Sequence, residues 1–187
     1  MSETKPLRAI SLWQPWATLV AIGAKQVETR HWSAPKSVRG EMAIHAAKKW
    51  SRDLAAMCME EPFRSTLLPL ARAAWPDLHG DAAVGFEKTL DFYLRRYAGT
   101  PRGLPLGGYV ARTLLNGCYR AEDMVPLISS TEAAFGDFSP GRFGWDLGPT
   151  IALPSIVRAK GRQGFWTVEG DAAARIRSAA PFPWEAR

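Results

Sequence analysis

Lys25, Glu28 and Arg30 bring an ammonium, a carboxylate and a guanidinium close together in the chain, and Trp13, Trp16 and Trp32 flank them. A lysine beside a carboxylate can hold a phosphate, or act as a base where burial lowers its pKa. A carboxylate next to a guanidinium can meet the polar edge of a ligand. It can equally form a structural ion pair that fixes a strand on its neighbour. Spacing decides which groups meet. On an extended strand Gln26, Glu28 and Arg30 share one face, while Val27 and Thr29 take the other. Lys25 then stands at the joint where the strand begins.

The elements that must position these groups are a short helix and the strand after it. Pro15 suits the first helical position, where its missing N–H costs nothing. Trp16, Leu19, Val20 and Gly23 fall on one face, and Gly23 suits the left-handed turn that ends a helix. Residues 25–32 then read as a strand. Upstream, Leu7–Leu12 reads as a first strand. Downstream, Ser33–Arg39 is a polar turn broken by Pro35, and Gly40–Ala47 is a strand buried on at least one face, which makes His45 a core histidine.

This block resembles the start of the ASCH domain, a member of the PUA-like superfamily. The hallmark G-x-K-x-x-E-x-R is matched by Gly23, Lys25, Glu28 and Arg30, and Gln14-Pro15-Trp16-Ala17 resembles the family's helix start. Later stretches agree. The I-H-A-A-K run at 44–48 resembles the family's second strand, and L-P-L-G followed by Tyr109–Tyr119 resembles its central strand. G-R-F-G-W at 141–145 and K-G-R-Q-G-F-W at 160–166 resemble its closing strands, although Trp166 comes one residue early. The resemblance covers 8–48 and 104–168.

Length and composition agree with one domain over 1–187. With 187 residues, 47% apolar and 22% charged, the chain can bury a core. It has no apolar run long enough to span a membrane and no apolar signal region, so a cytoplasmic location without membrane contact is expected. Cys58 and Cys118 have no motif spacing and are expected to stay reduced, and the scattered histidines give no metal site and no cofactor. The net charge of +6 and eight tryptophans suit a partner with phosphates and flat bases.

Residues 48–76 are helical in character and are interrupted by Pro62 and Pro69, and Ala83–Tyr97 reads as a further helix. Residues 51–100 are therefore read as a helical insertion packed against the main fold, either as plain packing or as a platform beside a cleft. A weak point falls at Asn116-Gly117, a short helix and loop at 120–137, and a tail at 169–187. The fold class is α+β. The resemblance implies a small, PUA-like, mostly antiparallel β-barrel of five or six strands with flanking helices.

The functional reading is a nucleic-acid-binding domain with a basic, aromatic-flanked cleft for RNA, a single strand or a modified base; its partner is nucleic acid, RNA above all, or a nucleoside or nucleotide. The binding set is Trp13, Gln14, Lys25, Arg30, Lys48, Lys160, Arg162, Gln163 and Trp166. Trp166 and one of Trp13 and Trp16 are open to a core role as well. The resemblance also implies a hydrolase on the same cleft, an amidohydrolase deacetylating 4-acetylcytidine or a ribonuclease, with Lys25 and Glu28 as catalytic candidates. The deacetylating relatives carry a threonine three residues after the lysine. Here that position is Glu28, and Thr29 points to the other face, so threonine-type activity is expected to be weak or absent and Lys25 to supply charge. A protein-interaction adaptor using the insertion is the third reading.

Overall fold

The computed structural model describes residues 5–74 and 104–185. The helix expected at Ala83–Tyr97 lies outside them. Six strands form one mixed sheet: β1 (Arg8–Leu12), β2 (Val27–Arg30), β3 (Gly40–Ala46), β4 (Gly108–Arg120), β5 (Phe143–Arg158) and β6 (Trp166–Thr167). Their spatial order is β2-β5-β4-β3-β1-β6. The β1–β3 pair is parallel and the other four are antiparallel. β2 and β6 end the hydrogen-bonded order and are not paired with each other, so the ladder stays open.

The first helix, α1 (Trp16–Ala21), lies against one face of this sheet. Pro15 precedes the helix as its cap rather than opening it, one residue from the sequence expectation. Gly23 takes φ 76°, the left-handed turn that only glycine adopts without penalty, and Lys25 N–H closes back on Leu19 O at 3.0 Å. Ala17 and Val20 of α1 pack into the main core with Ile10, Ile44, Leu115 and Trp145. Leu19 faces away, into a second core built by α2 (Arg52–Met57), α3 (Phe63–Ala74) and Phe135. A helix buried on two sides explains why its apolar residues exceed one stripe.

Two expectations about continuity change. Pro69 lies inside α3 rather than breaking it. Proline removes one helical hydrogen bond, and the buried anchors Phe63 and Leu67 both precede it, so the helix keeps its packing. Asn116-Gly117 does not interrupt β4; the register shifts between Leu115 and Gly117 instead, as at a bulge. β5 runs as one long strand from Phe143 to Arg158.

The opposite face of the sheet carries a third core of Ala9, Ala43, Tyr109, Trp166 and Ile176. Ile176 belongs to α6 (Ala172–Ala179), a helix within the stretch read from sequence as a tail. Two short helices, α4 (Ala121–Met124) and α5 (Ser130–Ala134), join β4 to β5. Among the described residues no helix is long and apolar enough to cross a membrane, and no cluster of His, Cys, Asp and Glu is placed to hold a metal. Cys58 and Cys118 are both unpaired, and burial pushes the Cys58 thiol up to about 12.

Candidate functional site

A cleft of about 530 Å³ opens where the end of β1 and the strand β2 approach each other. No backbone ladder joins these two strands; instead Arg30 Nη2 donates to Ser11 O at 3.0 Å. Glu28 and Arg30 stand opposite Trp145 and Phe143 of β5, on the face that turns toward α1. Alternation along β2 thus delivers both charged side chains to the same cavity, as their spacing requires.

The walls are aromatic. Trp16 donates its indole N–H to Phe135 O at 2.8 Å, which fixes the ring. Phe63 meets Trp16 edge-on at 6.2 Å and Phe135 at 5.0 Å between centroids. Phe63 and Met57 bring the described part of the insertion into the cleft wall. At the rim Trp13 is 48% exposed, and Lys49 Nζ sits 3.6 Å from its ring centroid. Asp137 and Arg142 close the far side; Arg142 Nε donates to Asp137 O at 3.1 Å. Hydrogen bonds from Ser139 hold the Asp137 carboxyl below its ordinary range, and Arg142 adds to this.

The floor is unusual in its hydrogen bonding. Glu28 is 8% exposed, yet among the described residues no protein group donates a directed hydrogen bond to it. Arg30 Nε lies 2.9 Å from Glu28 Oε1, but its N–H has no acceptor along its axis, so this contact is one of charge. Lys25 Nζ is 4.0 Å from Glu28 Oε2, beyond hydrogen-bond reach. Arg30 also lies over the Trp145 ring, 5.9 Å from its centroid.

Lys25 itself is 1% exposed and lies beneath the cleft, donating to Val27 O. Burial lowers its pKa, against the pull of Glu28 and Glu132, each 4.0 Å away. Glu132 is the partner that sequence reasoning missed. Its carboxylate accepts from Gln26 N at 2.8 Å and Val27 N at 3.0 Å, fastening the outer edge of β2 to α5. A signal was present: Ser129-x-x-Glu132 has capping-box spacing, and Ser129 Oγ does accept the Glu132 N–H. The glutamate, however, reaches across to β2 instead of back to its own helix start.

Of the residues singled out from sequence, Trp13, Trp16, Glu28, Thr29 and Arg30 line the cleft. Gln14 is fully buried, bridging Thr18 N and Pro105 O, and Trp166 is buried on the other face, donating to Tyr109 OH. Lys48, Lys160, Arg162 and Gln163 are exposed and outside the lining. The strap at 159–165 still runs beside the cleft wall: a Cβ on Gly161 would stand 2.8 Å from Ser11 Oγ and 2.6 Å from His45 Cε1. His45 holds the strap by its 3.2 Å contact to Ala159 O, and it also meets Ser11 Oγ at 3.0 Å. Thr29 turns away from Glu28, and its Oγ1 accepts the Asp137 N–H at 3.1 Å.

The family pattern of the ASCH domain matches residues 10–125. The chain therefore belongs to the ASCH domain family, and of the residues that carried the resemblance Trp16, Glu28, Arg30 and Arg142 line the cleft. No curated protein matches it. Among solved structures it is similar to ASCH from Zymomonas mobilis, at 10% identity and a TM-score of 0.48, with 94% of this chain and 96% of that chain covered. Two single-substitution mutants of that protein match at 10% identity and TM-scores of 0.47, covering 94% of this chain and 99% and 97% of theirs.

Proposed function

We propose that this chain binds RNA by taking one unpaired base into the cleft between β1 and β2. The observation that carries the reading is the combination of fixed aromatic walls with a charged floor in a cavity of about 530 Å³. Cavities of this order, roughly 300 to 1,000 Å³, accept ligands of nucleoside or nucleotide size. Unpaired bases are recognised in this way, by stacking on aromatic side chains and by hydrogen bonds to their pairing edge. Trp13 with Lys49 at the rim supplies a stacking surface beside a cation, and the exposed Lys48, Lys160 and Arg162 supply phosphate contacts along the flanking chain. On the same reading the curled sheet is a barrel interrupted at one seam, with the cleft as the mouth of that seam, and the protein works in the cytoplasm.

Binding is favoured over hydrolysis by the position of Lys25. Its amine lies buried beneath the floor, donating to the Val27 carbonyl, so the lysine does not face a substrate as a base beside Glu28. The test is fluorescence anisotropy with labelled single-stranded RNA, single-stranded DNA and duplex RNA at about 50 and about 200 mM salt. Single-stranded RNA is expected to bind most tightly and to weaken with salt. Trp13→Ala and Arg30→Ala are each expected to cost about 1 to 3 kcal/mol, the range for a lost stacking or charged hydrogen-bond partner. Absence of binding to all three at low salt, or variants that bind like the wild type, overturns the reading.

A further inference from the structure

Glu28 is a carboxylate in the floor of the cleft with cations nearby and no protein donor aimed at it, and its oxygens are open to the cleft. An ionised carboxylate is acceptor-only and offers about four lone-pair sites. A ligand that fills the cleft takes this carboxylate out of water, and an oxygen left without a donor then costs its full desolvation. Neighbouring charges explain why Glu28 tolerates its burial. They do not supply the directed N–H groups its two oxygens lack. The missing donors have one open direction to come from, the cleft itself.

We propose that the cleft selects guanine, with Glu28 accepting from the ring N1–H and the exocyclic 2-amino group while Arg30 donates to O6. This rests on reading the cleft as a site for an unpaired base. The choice follows from the arrangement of donors on each base. Guanine presents two adjacent N–H donors with a carbonyl beside them. Cytosine and adenine present one amino group next to a bare ring nitrogen, so a second carboxylate oxygen would face a lone pair. Uracil presents one N–H between two carbonyls and meets the same repulsion. A buried acceptor facing an acceptor is the kind of mismatch that rejects a ligand most strongly. Arg30 suits its part. Its Nη2 is tied to Ser11 O and its Nε lies beside Glu28, so the fork is fixed while the side chain keeps 27% exposure toward the cleft.

The experiment uses the full chain and ten-nucleotide oligouridylates carrying one central guanine, inosine, cytosine, adenine or no replacement, titrated by anisotropy at fixed salt. The guanine oligomer is expected to bind about 10-fold more tightly than the cytosine, adenine and uridine oligomers, within the 1 to 3 kcal/mol worth of a bidentate contact. Inosine lacks the 2-amino donor and is expected to lose a large part of that preference without any change to the protein. Glu28→Gln, close to isosteric, is expected to bring all five oligomers within about 2-fold of each other, since a fold of two is a few tenths of a kcal/mol. Equal binding of all oligomers by the wild type overturns the guanine assignment and leaves base binding standing. Inosine bound as tightly as guanine, or a preference that survives Glu28→Gln, also overturns it. If no oligomer binds, base binding fails together with it.

Discussion

Among the described residues two cations lie almost wholly buried, Lys25 at 1% exposure and Arg112 at 2%, and each stands between two carboxylates. Arg112 of β4 makes four hydrogen bonds, from Nε and both Nη atoms. It donates to Glu41 at 2.6 Å, to both oxygens of Glu185 at 2.6 and 2.7 Å and to Ala180 O at 3.1 Å, with the Phe182 ring 4.3 Å from the guanidinium. Arg177 of α6 holds the other side of Glu41 at 2.8 to 3.0 Å. Lys25 has its carboxylates at 4.0 Å and spends its bond on a backbone carbonyl. The first centre has its donors matched and fastens the chain end across the sheet. The second leaves an acceptor over, and that acceptor opens into the cleft. A completed polar network rigidifies, whereas an incomplete one is either a cost or a place for a ligand.

The comparison is broken most directly at Arg112. Arg112→Met leaves Glu41 to Arg177 and Glu185 to the Phe182 N–H, removes four hydrogen bonds from the centre, and is expected to cost about 3 kcal/mol, the low end for breaking a buried charged network because Glu185 is partly solvated. Urea unfolding at neutral pH measures it; a loss below about 1 kcal/mol would show that this network is no anchor. Lys25→Met is expected to cost less, about 1 to 2 kcal/mol. Glu132 keeps its two backbone donors and Glu28 keeps Arg30, so neither carboxylate is abandoned. Equal costs for the two variants would mean that the difference in pairing has no energetic meaning.

The sequence disclosed the second centre and concealed the first. Lys25, Glu28 and Arg30 are local to one helix-to-strand unit, so their spacing alone assigns their faces. The same locality made Gly23 and Thr29 legible, whereas the α+β fold of five or six strands came with the resemblance as a barrel, and the six-strand sheet stays open. Arg112, Glu41 and Glu185 come from β4, β3 and the chain end, and only the sheet register and the docking of α6 bring them together. No periodicity reports such a meeting. Glu132 was hidden for a related reason, since its capping-box spacing is real while its carboxylate serves another element. The cleft was half legible. The aromatic walls from Phe63 and Phe135 depend on how the insertion and α5 pack, which propensity along the chain does not encode.

The smallest expected effect, and the one that separates the centres most cleanly, is the response of stability to pH. Arg112 draws the Glu185 carboxyl from its ordinary 4.5 down to about 2. A group whose folded pKa is depressed in this way stabilises the fold above its unfolded value, and that contribution is lost as pH falls from about 4.5 to about 2. Lys25 works at the other end. Burial lowers its pKa below the ordinary 10.5, so between the folded and unfolded values the unfolded chain binds the extra proton. Stability then rises with pH across that window, up to about 10.5. Cys58 opposes it, because a thiol raised from 9.0 to about 12 ionises first in the unfolded chain and favours unfolding above pH 9. Subtracting a variant from the wild type removes this shared contribution. Urea midpoints measured from pH 2 to 10 should therefore show the acid loss shrinking in Glu185→Gln and the alkaline rise shrinking in Lys25→Met, each variant leaving the other limb unchanged. If Lys25→Met keeps the alkaline rise, Lys25 carries its proton in the folded protein as freely as in water, and Glu28 and Glu132 offset its burial in full at 4.0 Å.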